Sequence, residues 1–236
     1  MTGKPFVFFD GDQTLWDFQR VMRHALAIVL DELRIRRAEP STEKLSVESL
    51  IADRDHVAAE HRDAGWTMEQ IRMEAFARTV RRCGGPDSGL ARDLHALFMR
   101  HRFGDIELYP DVVPAFDALA ARSYRLGLLT NGNGDPERCG LAGRFEAVVL
   151  AQDHGVSKPD LRLYDLAAAT VGGHRTPPVM VGDSLHTDVV GAQRAGWRGV
   201  WLNRCGEACP SGITPDAEIS SLVHLPNALE RSPTVA

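Results

Sequence analysis

Five short apolar runs punctuate the chain: Phe6 to Phe9, Leu126 to Leu129, Ala147 to Leu150, Val179 to Val181 and Gly199 to Leu202. Each is rich in Val, Leu or Phe and stops at a Gly, Asn or Asp cluster, the pattern of strands covered on both faces. Helix-period segments lie between them, with Val112, Val113, Phe116 and Leu119 before the second run and Leu161, Tyr164, Leu166 and Val171 before the fourth. Alternating strands and helices build crossover units, and these place ligands at the carboxyl ends of the strands. The expected fold class is α/β, a three-layer Rossmann-like parallel sheet.

From Trp16 to about Phe103 the alternation breaks, and the chain reads as four helices without a strand. Phe18, Val21, Met22, Ala25, Leu26, Val29 and Leu33 share one helical face, and Val47, Leu50, Ile51 and Val57 suggest a second. Thr67-Met68-Glu69-Gln70 has capping-box spacing and opens a third, which Gly84-Gly85-Pro86 stops. Leu90, Leu94, Leu97 and Phe98 mark the fourth. The expected organisation is an α/β core over 1–15 and 105–230, an all-helical insert over 16–104, and a disordered tail over 231–236.

Composition narrows the function classes. At 236 residues the chain can bury one full core and a smaller appended one. Hydrophobic residues are 44% and charged residues 25%, values of a folded globular protein. The net charge of -5 comes without long single-sign runs, so neither a nucleic acid nor an anionic membrane is an expected partner. No signal-peptide pattern and no apolar run of about 18 residues is seen, which gives a cytoplasmic expectation. Cys83, Cys139, Cys205 and Cys209 are too few for a disulfide scaffold, and Cys205-x-x-x-Cys209 lacks partner ligands for zinc.

The chemistry sits where the strands end. The first run ends in Asp10-Gly11-Asp12-Gln13-Thr14, two carboxylates in one loop. Phosphoryl transfer needs an anionic nucleophile, a proton donor for the leaving oxygen and a cation, and Asp-x-Asp can begin all three. The second run ends in Thr130-Asn131-Gly132-Asn133-Gly134, a hydroxyl and flexible backbone suited to phosphate oxygens. After the third comes Lys158-Pro159, and the fourth ends in Gly182-Asp183-Ser184-Leu185-His186-Thr187-Asp188, oxygen ligands suited to a hard cation. Taken singly, these read as an acidic turn, a glycine turn, a surface lysine and a helix N-cap.

In this order, each after a strand, the segments resemble the four signatures of the haloacid dehalogenase superfamily. The resemblance covers the core segments and, less specifically, the helical insert. It implies Asp10 as the nucleophile that forms an aspartyl-phosphate, and Asp12 as the general acid that protonates the leaving group and then activates water. It further implies Thr130, with the backbone of Asn131 and Gly132, and Lys158 as phosphate-binding groups. Mg2+ is the implied cofactor, held by Asp10, the Asp12 carbonyl and Asp183, with Asp188 in support.

The implied activity is Mg2+-dependent hydrolysis of a small phosphate monoester, such as a sugar phosphate, a nucleotide or a phosphoglycolate-like compound, by a monomer or homodimer. In look-alikes the helical insert is a cap that closes over the site, with Trp16, Asp17 and Tyr109-Pro110 at the hinge; Arg20, His24, His56, His61 and Trp66 are candidates to read a leaving group. Three other functions compete. A 2-haloacid dehalogenase shares the nucleophile but needs no acid at the position of Asp12. A sugar phosphomutase needs a cap histidine that the sequence does not single out, and a binding protein on an inactivated fold would show a lesion that is absent here.

Overall fold

The computed structural model describes residues 4–62, 64–104, 106–132, 134, 136–172 and 176–231. The expected tail therefore lies, apart from Arg231, outside the described residues. The chain divides into two compact units, Met1–Phe18 with Ile106–Ala236, and Gln19–Asp105.

The first unit holds six parallel strands: β1 (Phe6–Phe9), β2 (Arg125–Thr130), β3 (Ala147–Leu150), β4 (Val179–Gly182), β5 (Arg198–Leu202) and β6 (Ala217–Ile219), ordered β3-β2-β1-β4-β5-β6. Five of them are the apolar runs of the sequence. β6 was not expected: Ala217-Glu218-Ile219 is too short to show a period, and it forms by pairing with Val200 to Leu202.

β1 lies mid-sheet between β2 and β4, and all four of its residues are buried. Successive side chains of a strand point to opposite faces, so one strand feeds two cores. Val7 and Phe9 pack with Phe116, Leu119, Leu128 and Val181, whereas Phe6 and Phe8 pack with Leu163, Tyr164, Met180 and Trp197. Each fully buried Phe contributes roughly 1.5–3 kcal/mol.

The helices of this unit provide the outer layers: α6 (Val112–Ala121) and α9 (Leu225–Glu230) on the Val7 side, α7 (Leu161–Thr170) and α8 (Gly191–Arg194) on the Phe8 side. Burial on both faces does not hold at the sheet's edge, where Val148 of β3 is 47% exposed. Val113 and Leu166, members of the helix-period segments, are likewise exposed.

The second unit contains α1 (Phe18–Arg36, which begins in the first), α2 (Pro40–Glu43), α3 (Val47–Glu60), α4 (Met68–Arg82) and α5 (Ser88–Gly104). The expected capping box forms: the Gln70 amide donates to Thr67 Oγ1 at 3.3 Å, and the Thr67 amide to Gln70 Oε1 at 2.8 Å. Such a cap contributes about 1 kcal/mol. Val29, Leu33, Phe76, Val80, Leu94 and Phe98 share the unit's core.

The division corrects the expected boundary at residue 16. Trp16 is fully buried in the core of the α/β unit, and its backbone bridges to Asp12 and to Leu108. Among the described residues no helix is long and apolar enough to cross a membrane.

Candidate active site

At the carboxyl end of β1 the chain turns sharply. Asp10 continues the β1–β4 pairing by donating its amide to Val181 at 2.9 Å, and the amides of Thr14 and Leu15 fold back onto the Gly11 carbonyl. Gln13 takes φ of 63° to complete this turn. The Asp10 side chain is thereby set at the tip of the central strand, with the residue 8% exposed.

Lys158 is brought to it from the loop after β3. Its residue is 3% exposed, and its ammonium donates to Asp10 Oδ1 at 2.7 Å and to Asp188 Oδ1 at 2.6 Å. Asn131, at the end of β2, fixes this loop by its side chain. Its amide donates to the Lys158 carbonyl at 3.0 Å, and its Oδ1 accepts the Lys158 amide at 2.7 Å. The resemblance offers the Asn131 backbone to phosphate; its side chain, which the sequence leaves without a role, places the lysine.

Burial alone would lower the Lys158 pKa, but Asp10 and Asp188 outweigh it and leave the pKa raised, so the ammonium stays charged. Asp188 reaches it through a π-helical turn, Leu185–Val190, within which the Asp188 and Val189 amides both reach the Ser184 carbonyl. Its second oxygen accepts the Ser184 amide at 3.1 Å. Burial pushes the Asp188 carboxyl up and Lys158 pulls it back.

Asp183 completes the cluster. Its amide donates to Thr14 Oγ1 at 3.1 Å and its carbonyl accepts the Trp201 indole at 2.9 Å. Arg204 steadies the same loop, forking onto Asp111 at 2.8 and 3.0 Å and donating to the Thr14 carbonyl at 2.9 Å. Nothing in the spacing pointed to Trp201 or Arg204, since both enter from β5 and the loop after it.

One carboxylate oxygen each from Asp10, Asp183 and Asp188 lies within 4.8 Å of the others. Three carboxylates face one ammonium, and the imbalance shows in Asp183, whose pKa is pushed up to about 7 by burial, then by Asp10 and Asp188. An all-oxygen donor set with excess negative charge fits a hard divalent cation.

The other expected groups belong to the segments at the ends of β1 and β2. Thr130 is buried, and its hydroxyl accepts the Gly132 amide at 3.0 Å. The Gly132 amide, expected to face phosphate, is therefore satisfied by its neighbour's hydroxyl in this structure. The Asp12 carboxylate is not among the three clustered carboxylates; its Oδ1 accepts the Trp16 indole at 2.8 Å. Asn133 lies outside the described residues.

In the helical unit, His61 stacks on Trp66 at 3.6 Å between ring centroids, and His56 pairs with Glu60 at 3.0 Å. Arg20 and His24 are exposed. The four cysteines form no disulfide, Cys83 and Cys139 being buried and Cys205 and Cys209 exposed.

Comparison with known proteins places these features in context. A family model described as haloacid dehalogenase-like hydrolase matches residues 6–196. A phosphoserine phosphatase of Thermus thermophilus is 34% identical over 157 residues, 64% of this chain and 62% of its own length, so the match spans less than two thirds of that relative. An N-acylneuraminate-9-phosphatase of Rattus norvegicus is 29% identical, with 95% of this chain and 93% of its own length aligned. Among solved structures, a 2-haloacid dehalogenase from Pseudomonas syringae pv. Tomato DC3000 superposes with a TM-score of 0.76 at 31% identity, covering 96% of this chain and 98% of that one.

Proposed function

This chain belongs to the haloacid dehalogenase-like hydrolase family, and on that premise we propose that it is a Mg2+-dependent phosphoric monoester hydrolase acting on a small phosphorylated metabolite. The observation that carries the reading is Asp10 at the tip of β1, held by Lys158 and standing within 4.8 Å of the Asp183 and Asp188 oxygens. The phosphatase names of the Thermus and rat relatives support phosphate esters as the substrate class.

Asp10 attacks phosphorus in line, forming an aspartyl-phosphate as the ester oxygen–phosphorus bond breaks. Asp12 gives its proton to the departing oxygen, a contribution of roughly 10²–10⁴ in rate. It then takes a proton from the water that attacks the phosphoryl group, and Asp10 is restored with release of phosphate. Lys158 and the Thr130 hydroxyl hold the phosphoryl oxygens, and Lys158 keeps Asp10 oriented.

Asp10, Asp183 and the Asp12 carbonyl would hold Mg2+, with Asp188 supporting through Lys158. Bound there, the ion supplies positive charge against the crowded anions.

Dehalogenation of 2-haloacids is the second reading, favoured by the likeness to the Pseudomonas syringae enzyme. It leaves Asp12 and the carboxylate excess around Asp183 without a task. A screen of phosphorylated metabolites and 2-haloacids separates the two. We expect phosphate release that needs Mg2+ and falls at least about 10³-fold in Asp10→Asn. Halide release without a divalent ion, with the phosphate esters left intact, would replace this reading by the second.

A further inference from the structure

The indole of Trp16 is fully buried, yet its one polar atom is aimed at the active-site loop, where Nε1 donates to Asp12 Oδ1 at 2.8 Å. The turn is built for this approach. The Gln13 amide donates to the Trp16 carbonyl at 2.8 Å, and Asp12 and Trp16 form a backbone bridge.

Three glycines make room. A Cβ at Gly11 would lie 2.7 Å from Trp16 Cζ2, and a Cβ at Gly134 would lie 2.7 Å from the same atom. A Cβ at Gly132 would lie 2.6 Å from Asp12 Oδ2. Gly132 and Gly134, in the loop after β2, are therefore glycines because a tryptophan ring and a carboxylate occupy the space of their side chains.

We propose that Trp16 is a positioning residue for the acid–base step, holding Asp12 by Oδ1 so that Oδ2, the oxygen against Gly132, exchanges the proton with the leaving group. The inference rests on the hydrolase reading above. An indole N–H can only donate, so the oxygen that receives it acts as an acceptor and the transferable proton sits on the other. As the bond from Asp10 to phosphorus forms and the ester oxygen–phosphorus bond breaks, that proton passes from Oδ2 to the departing oxygen, which leaves as a neutral alcohol. Asp12 is then a carboxylate whose charge the indole N–H stabilises until it takes a proton from water.

A positioning role for the acid step affects poor leaving groups most, because a good one departs without a proton. The test measures kcat/KM of Trp16→Phe on glycerol 2-phosphate, whose alkoxide needs protonation, and on 4-nitrophenyl phosphate, whose phenolate does not. The ratio of the two, taken on one sample, is independent of the fraction of protein folded.

We expect the alkyl ester to lose at least about tenfold more than the aryl ester. Gly134→Ala, which displaces the ring without deleting it, should skew the two esters in the same direction. Equal losses on both esters in both variants would overturn the assignment. Asp12→Asn, run alongside, separates the two failures. If it too treats the esters alike, the acid role of Asp12 fails; if it skews them strongly while the Trp16 and Gly134 variants do not, only the assignment to Trp16 fails.

Discussion

In the helical unit, Arg36 reaches Asp93 at 2.8 Å with side chains 40% and 59% exposed, and Arg78 and Arg82 pair with Glu60 and Asp53 at partly exposed positions. In the α/β unit, Lys158 stands between Asp10 and Asp188 at 2.7 and 2.6 Å with its side chain 1% exposed. Water screens the first kind of pair, so it fixes little that packing has not already fixed. Burial makes the second kind costly, and an unequal buried cluster is retained where chemistry uses it. The contrast teaches that ion-pair distance alone does not rank charged groups; burial and charge balance do.

Removing the ammonium should break the contrast most. Lys158→Met leaves Asp10 and Asp188 facing each other without a counter-ion, and we expect a loss of about 3–5 kcal/mol in denaturant unfolding together with loss of turnover. Adding Asp188→Asn should recover part of the stability but none of the turnover. A Lys158→Met protein as stable as the parent would mean that the buried cluster is not under charge stress.

Gly182 offers a steric route to the same cluster, because a Cβ there would run into the Asp188 carboxylate. Gly182→Ala is expected to cost about 3 kcal/mol, read as a lower denaturation midpoint at unchanged slope.

A gentler perturbation is the cation itself. The Asp183 pKa, pushed up to about 7 from 3.8 by burial and then by Asp10 and Asp188, means that the folded protein holds a proton the unfolded chain releases. In the cation-free protein this group's contribution is complete below about pH 4 and is lost as pH rises towards 7. Mg2+ competes with that proton, so the stability gained on adding it, read out as a rise in Tm, should be small at pH 5.5 and larger at pH 8, reaching about 1–3 kcal/mol. A gain independent of pH would place the ion elsewhere.

The smallest effect belongs to the helical unit. Arg36→Ala should leave both the denaturation midpoint and turnover unchanged within error.

The same contrast explains what could be read from the sequence. Five strands are legible because a buried strand is a continuous apolar run, and the segments that follow them carry Asp10 and the Lys158 and Asp183 that stand beside it. The Thr67 cap was legible because its partners are three residues apart.

What escaped is long-range. β6 exists through its pairing with β5, and the edge position that exposes Val148 is set by sheet order rather than by pattern. The Asn131 side chain acts on a residue 27 positions away, and Arg204 reaches the Thr14 carbonyl 190 positions away. The strand and helix alternation breaks at Trp16, which places it in the insert by pattern, yet its ring belongs to the sheet's core and its N–H to Asp12.

Trapping the covalent state tests the central claim most directly. The protein, quenched by acid within milliseconds of mixing with Mg2+ and a turning-over phosphate ester, is treated with borohydride, which reduces an acyl phosphate but not a free carboxylate. It is then mapped by peptide mass spectrometry. The account requires the reduced side chain at position 10 and at no other aspartate; reduction at another position, or none during steady turnover, would contradict it.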